Sequence, residues 1–528
     1  MLARTRPLVL HVLLLSLLAA APAWGQDSEN KKKTPAKRQP TAAKAATSNP
    51  LTDTQHVCAR CLRAHLDFLA ADALRGRGSA TPDELIAATY IAAQFEQYGV
   101  PPAGSSASGK NGNAYIQTAT LETPQLAAPP TLSITAGGTS SNAHPVMWTH
   151  GKEFILSRSS GKSASGPLQK LPRDFKLDAG GKVTPGAVVY WAVDSNSDPR
   201  TWFRQVFALL QSGAAAVLIP ASNQNLKAWD TLAKERPLFE RSVVGGEAST
   251  MGGGLQRDVL ILKPEAAQQL AALPEGTPIQ LNAKLGEPKR EYTYNAVAII
   301  HGTAPDADKD AILLTAHLDH LGQGTPASAV VPPVTGPDGK LDNIYNGACD
   351  DASGTATVLE LARALAAGLK PKRTVVFALF GSEELGGLGS TYFLSHSPLP
   401  LADYTANLEF EMLAWPDPKL KPDVLWITGY DRTDFGPELA KHGANVVADP
   451  YPEQNFFQRS DNYVLAKKGV VAQTIGSFGL QKEYHSPLDD LAHVDWTHFT
   501  KAVDSLIAPV QWLVNGGFKP QWLPGKKP

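Results

Sequence analysis

A chain of 528 residues is too long for one small core, and 43% hydrophobic content is ordinary for globular domains, so two folded domains with appendages are expected. Its 49 basic and 50 acidic residues cancel to a formal charge of −1, and no basic stripe interleaved with aromatics occurs. That balance excludes the electrostatic footprint of a nucleic-acid-binding protein.

The N-terminus reads as an export signal. Arg4 and Arg6 precede an apolar run from Leu8 to Ala20, and Ala23 and Gly25 fit the −3 and −1 positions of a signal-peptidase site. Cleavage before Gln26 is expected, giving a periplasmic or secreted protein. The run is short for a membrane span and no cysteine follows it, which argues against a membrane or lipid anchor. Residues 26–52 are polar, basic and proline-containing, and read as a flexible leader. Only Cys58, Cys61 and Cys349 occur, too few for a disulfide-built scaffold or a four-thiolate zinc site. Cys58 and Cys61 form a CxxC that can close a local disulfide in an oxidising compartment; redox catalysis is the less favoured reading.

From about Asp53 the pattern turns helical, with apolar residues at helix spacing in "CLRAHLDFLAADALRGRGS" and in "PDELIAATYIAAQFEQYGV", which ends at Gly99. Residues 136–287 have another texture. Short β-rich segments such as "AVVYWAV" alternate with glycine- and serine-rich loops, and the helix "PRTWFRQVFALLQSG" leads into "AAAVLIP". This reads as a separate β-rich insert between two parts of one domain, 53–135 and 288–520. From Tyr292 onward, continuous apolar strands such as "AILLTAHLD", "RTVVFALFG", "ANLEFEML" and "VVAQTIG" alternate with helices such as "SGTATVLELARALAAGL". Such alternation predicts an α/β fold, a mostly parallel sheet sandwiched by helices.

Sheets of this kind bind ligands beyond the carboxyl ends of their strands. The strand ends here carry His317 and Asp319, Glu383 and Glu384, and Glu409 and Glu411. A late loop, "YHSPLDD", adds His485, and "GACDDASG" places Asp350 and Asp351 before a helix. Adjacent carboxylates repel, so that pair either caps the helix in solvent or lies beside a positive group. So many carboxylates in one crevice require cations, and imidazole plus carboxylate without thiolate suits zinc or a related divalent ion.

The motifs "AHLDHLG", "NGACDDASG", "GSEELGGLGS" and "YHSPLDD" stand in the order found in the di-zinc exopeptidases of the M28 aminopeptidase family, which this chain resembles from "LDFLAADALRGRGS" to "EYHSPLDDLAHVDW". The resemblance implies two zinc ions per chain, a peptide substrate and a protease-associated domain at the insert. It implies that His317 binds the first zinc, that Asp350 bridges both and that Glu384 and His485 complete the second. Glu383 would be the general base, and Asp319 would orient His317. The peptide bond between Asp350 and Asp351 would be cis. The remaining ligand departs from the usual pattern. Matching the methionine of "NLEFEML" makes Glu411 the ligand, the preferred assignment; matching Asn407 gives Glu409. Residues two apart on a strand share a face, so both are expected to reach the site. Tyr484 is placed either to hydrogen-bond the developing oxyanion or to pack at the rim, and Cys349 reads as packing.

No GxSxG elbow and no HExxH motif occurs, which disfavours serine hydrolases and that class of metalloprotease. The remaining rivals on the same scaffold are a carboxypeptidase or dipeptidase, a glutaminyl cyclase and a metal-free binding protein. Nothing in the sequence fixes the oligomeric state.

Overall fold

The computed structural model describes residues 50–104, 113–135, 145–177, 180–197, 199–234, 238–239, 241–246, 258–324, 333–336 and 339–528. The expected signal sequence and nearly all of the leader lie outside these residues. The segment Ser48–Pro528 forms one compact unit. Among the described residues no helix is long and apolar enough to cross a membrane.

Two nine-stranded sheets organise that unit. The first runs, edge to edge, through the strands Val446–Ala448, Leu425–Ile427, Val471–Gly476, Tyr404–Phe410, Ala311–His317, Val375–Phe380, Lys289–Ile300, Ile116–Thr123 and Ser242–Val243. Its four-strand centre, from Val471–Gly476 to Val375–Phe380, is parallel, as the alternation of strands and helices predicts. Lys289–Ile300 and Ile116–Thr123 are antiparallel additions on one side, and Leu425–Ile427 pairs antiparallel on the other.

Burial parity shows why these strands are apolar throughout. Every residue of Ala311–His317 is buried. Ile312, Leu314 and Ala316 point into one core with helices Ala59–Leu69, Pro82–Gln97, Gly354–Ala367 and Trp496–Asn515, whereas Ala311 and Leu313 enter another. That second core is closed by Phe393 of Leu388–His396 and by Val464 to Ala466 of Asn462–Lys467. A strand covered on both faces has no polar face to alternate.

The second sheet takes its strands from between Thr131 and Asn282 and splits its faces in the same way. Val188 and Tyr190 enter one small core with Leu270 of helix Pro264–Ala272; Val189 and Trp191 enter another with Leu209 of helix Pro199–Gln211. One short strand of this stretch, Ser242–Val243, leaves its neighbours and pairs with Ile116–Thr123 of the first sheet.

The central helix Gly354–Ala367 also docks the start of the described chain. Arg363, 1% exposed, pairs with Glu360 and donates to the carbonyls of Asp53 and His56 at 2.6 and 2.9 Å. Glu360 in turn accepts the Cys58 N–H at 2.7 Å, and Cys58 and Cys61 form a disulfide across the first turn of helix Ala59–Leu69. Breaking one side of a buried pair strands the other charge, which costs about 3–5 kcal/mol. Arg363→Met is therefore expected to lower the denaturant midpoint strongly and to open residues 53–57 to proteolysis, while Glu360→Gln on that background recovers part of the loss. Equal midpoints for Arg363→Met and wild type would remove this anchor from the fold.

Candidate metal centre

The carboxyl edge of the parallel centre gathers His317 at the end of Ala311–His317, Glu383 and Glu384 in the turn after Val375–Phe380, and Glu411 just past Tyr404–Phe410. His485 enters from the loop after Val471–Gly476, and Asp350 from the turn before helix Gly354–Ala367.

Asp350 lies at the middle. One of its oxygens, Oδ1, is 3.0 Å from His317 Nε2; the other, Oδ2, is 3.2 Å from His485 Nε2. His485 Nε2 also lies 3.3 Å from Glu384 Oε2. Ligand atoms of His317, Asp350 and Glu411 fall within 4.8 Å of one another, and so do those of His320, Asp350 and Glu384. Asp350 thus turns one oxygen to each of two clusters. The peptide bond after it is cis.

The residues fit metal ions. Both ring nitrogens of His317 are buried with carboxylates beside them, Asp350 at Nε2 and Asp319 at Nδ1, yet neither makes a well-aligned hydrogen bond. The donor set is imidazole and carboxylate only, as zinc prefers when thiolate is absent. Electrostatics point the same way. Burial acts to raise the Glu384 pKa, yet His485 and His320 bring it down to about 2. Burial acts to lower that of His485, yet Glu384 and Asp350 carry it up to about 10. The carboxylates therefore draw positive charge strongly. Burial, reinforced by Glu384, Asp461 and Glu411, also lifts the Glu383 pKa well above the usual carboxylate range.

The paired aspartates divide their tasks. Asp351 is fully buried and caps nothing in solvent. It accepts the N–H groups of His317, Gly354 and Met412 at 3.2, 2.8 and 3.1 Å, tying two strand ends to the helix start. Gly354 is required there, since a Cβ would lie 2.5 Å from the Asp351 carboxylate and 1.9 Å from the Phe410 carbonyl oxygen.

The structure separates Glu409 from Glu411, against the expectation that both reach the site. The strand ends at Phe410 and Met412 takes a φ of 57°, so the two acids are not two steps along one regular strand. Glu409 is consumed below the site by Ser460 Oγ, the Asn462 N–H and Thr474 Oγ1 at 3.0, 2.6 and 3.0 Å. Glu383 and Glu384 also lie in a turn rather than on a strand, after Ser382 with a φ of 53°.

Asp319 does more than face His317, from which its Oδ1 is 3.6 Å at Nδ1. It accepts the Glu383 and Glu384 N–H groups at 3.1 and 3.4 Å and the Ser79 hydroxyl at 2.5 Å. Tyr484 stacks on His485, ring centroids 3.8 Å apart, and lines a cavity with Glu383, Glu411 and Asp350. Cys349 is buried in the core, as its packing role predicts.

Several residues escape sequence reasoning. His320 Nδ1 contacts Glu384 Oε1 at 2.8 Å. Asp489 accepts the N–H groups of Cys349 and Asp350 at 2.7 and 3.0 Å, holding the bridging turn. Arg77, fully buried, donates to the carbonyls of Leu318, Asn346 and Gly347, so it clamps the His317 and Asp350 loops together. Glu84 accepts the Ser382 N–H at 2.8 Å and the Thr293 hydroxyl at 2.9 Å, fixing the turn that carries Glu383. His320, Asp489 and Arg77 stand inside quoted motifs, "AHLDHLG", "YHSPLDD" and "RGRGS", which was the available signal; Glu84 has none beyond its helix start.

Residues 295–510 match the profile described as peptidase family M28. Leupeptin-inactivating enzyme 1 of Streptomyces exfoliatus is 40% identical over 207 residues, covering 34% of this chain and 44% of that protein. Aminopeptidase YwaD of Bacillus subtilis is 25% identical over 392 residues, 70% of this chain and 73% of its own. The chain thus spans under half the length of the first of these relatives. The solved structure of an aminopeptidase from Aneurinibacillus sp. strain AM-1 superposes with a TM-score of 0.50 at 20% identity, over 89% of this chain and 97% of that one, and shows the fold. The similarity to peptidase family M28 thus lies in residues 295–510.

Proposed function

We propose that this protein is an exported, di-zinc aminopeptidase that releases residues from the free amino end of peptides. The single observation that carries the metal count is the split carboxylate of Asp350, one oxygen toward His317 and the other toward His485. His317, Asp350 and Glu411 would hold the first ion; Asp350, Glu384 and His485 the second. The insert is read as a protease-associated domain that restricts access; among the described residues, none between Thr131 and Asn282 joins the metal-binding groups. The relatives named as aminopeptidases support the exopeptidase reading over a cyclase or a binding protein.

A bound pair of zinc ions supplies an acidified water and a polarised scissile carbonyl. The chain's own groups supply the rest. Glu383, with its raised proton affinity, takes the proton of the attacking water and passes it to the leaving amine. Asp319 keeps the Glu383–Glu384 turn in place through the two N–H groups it accepts and faces the His317 ring. The Tyr484 hydroxyl donates to the carbonyl oxygen as negative charge grows on it.

Three outcomes test this reading. Elemental analysis of the purified protein should return close to two zinc ions per chain, and activity that persists at near-zero metal would defeat the di-zinc assignment. Glu411→Ala should lose metal and most activity, whereas Glu409→Ala should chiefly lower stability; the opposite ranking would exchange their roles. Glu383→Gln should keep its zinc and fold while kcat falls at least about a hundredfold. A near-normal kcat in the metal-loaded variant would exclude Glu383 as the base.

A further inference from the structure

The cavity beside the metal groups, open to solvent, is not lined by carboxylates alone. Its wall includes Trp426, Thr428, Phe456 and Arg459. A run of rings leads away from the metal-binding edge. His485 stacks on Tyr484, Tyr484 meets Phe478 at 4.8 Å between centroids, and Phe478 meets Phe456 at 5.8 Å. Trp426 stacks on Phe456 at 5.3 Å, and the Arg459 guanidinium lies over the same ring, 5.0 Å from its centroid.

Three side-chain donors on this wall have no acceptor among the described residues. Arg459 is exposed; its guanidinium lies over the Phe456 ring, its charge reaches Glu411 and Tyr484, and among the described residues it makes no side-chain hydrogen bond or ion pair. Trp426 is only 4% exposed, yet its Nε1–H has no partner. Thr428 Oγ1 accepts the Thr474 N–H at 2.9 Å and keeps its own hydroxyl hydrogen to give. An indole N–H left unmatched in a buried wall is costly, and a purely apolar side chain would leave it so. A carboxylate supplies acceptors for donors of this kind, and stacked arginine beside aromatic rings is a common way to hold one.

We propose that this cavity binds a carboxylate of the substrate, with Arg459 as the residue that reads it. The proposal rests on the aminopeptidase reading and narrows its substrates to peptides carrying that charge near the scissile bond. Two sources fit: the side chain of an N-terminal glutamate or aspartate, or the free C-terminus of a dipeptide.

Three peptides separate them: Glu-Ala-amide, with only the side-chain carboxylate; Leu-Ala, with only the free terminus; and Leu-Ala-amide, with neither. In the wild type, kcat/KM should favour at least one of the first two over Leu-Ala-amide, and the peptide favoured identifies the source. Arg459→Met should shrink that ratio about tenfold or more, the size expected for a charge-assisted hydrogen bond, and Arg459→Lys should restore part of it. A ratio unchanged within about twofold in Arg459→Met, or a wild-type preference for Leu-Ala-amide, would overturn the proposal. Calorimetric binding of the same peptides to Glu383→Gln, with and without Arg459→Met, gives the same ratio without turnover. If the wild type cleaves none of the three, the aminopeptidase reading falls, while the binding ratio still decides for or against Arg459.

Discussion

Crowding of negative charge at one sheet edge is the constraint on which the rest of this structure depends. Asp319, Asp350, Asp351 and Asp489 are buried together with Glu84 and Glu409, and Glu383, Glu384 and Glu411 stand among them. No fold tolerates such a cluster unless each carboxylate finds donors, protons or cations. The chain answers by sorting them. Asp351, Asp489, Glu84 and Glu409 each accept at least one backbone N–H, which satisfies a carboxylate without a counter-ion. Among the described residues, no backbone N–H is recorded on the side chains of Glu383, Glu384 or Glu411. Glu384 turns to imidazoles instead, as Asp350 does. The carboxylates left without main-chain donors are those expected to hold metal or move a proton. Ligand and scaffold roles are thus distinguished by what each acid receives from the backbone, not by residue type.

The scaffold acids also show how widely the site is built. Arg77, Ser79 and Glu84 precede the segment that matches the peptidase profile, yet they brace the loops of His317, Asp350 and Glu383. Arg77 is the one cation buried among the braces described, and it spends its donors on carbonyls rather than on carboxylates. Burial lowers its pKa, and the charges of Asp489, Asp319 and Asp351 nearby offset that only in part. The N-terminal segment therefore belongs physically to the unit that carries the site, and the site is not confined to the parallel sheet that presents it.

What the sequence revealed followed from where the chemistry sits. Residues at strand ends stand beside continuous apolar runs, so the convergence of His317 and Glu383–Glu384 was legible from position, while their separate roles rested on the combination of motifs. The aspartate pair drew attention because adjacent carboxylates repel, but which of the two faces the imidazoles rested on the resemblance of the motif. The partner acids were not legible, because a carboxylate that accepts main-chain N–H groups depends on which loops meet in space. Glu84 looks like an ordinary surface acid until its donors are known, and Asp489 stood in a motif that gave it no role of its own. The antiparallel edges of the sheet were hidden for a similar reason, since Ile116–Thr123 and Lys289–Ile300 are separated by the whole second sheet and pair across it in sequence.

The Glu409 and Glu411 pair shows how little separates the two outcomes. Period-two reasoning assigns both to one face, and it holds only while the strand lasts. Here the strand ends between them. Glu409 is still on the ladder with Val471–Gly476, opposite Thr474, whose hydroxyl it accepts. Glu411 keeps one main-chain bond, to the Ile475 carbonyl, before Met412 turns the chain at positive φ. Its carbonyl oxygen passes close to Gly476, where a Cβ would lie 2.5 Å away. A side chain at that glycine would force the Glu411 backbone outward and carry its carboxylate with it. The position of the Glu411 carboxylate is therefore set partly by a glycine on the neighbouring strand, a dependence that only the pairing of the two strands makes visible.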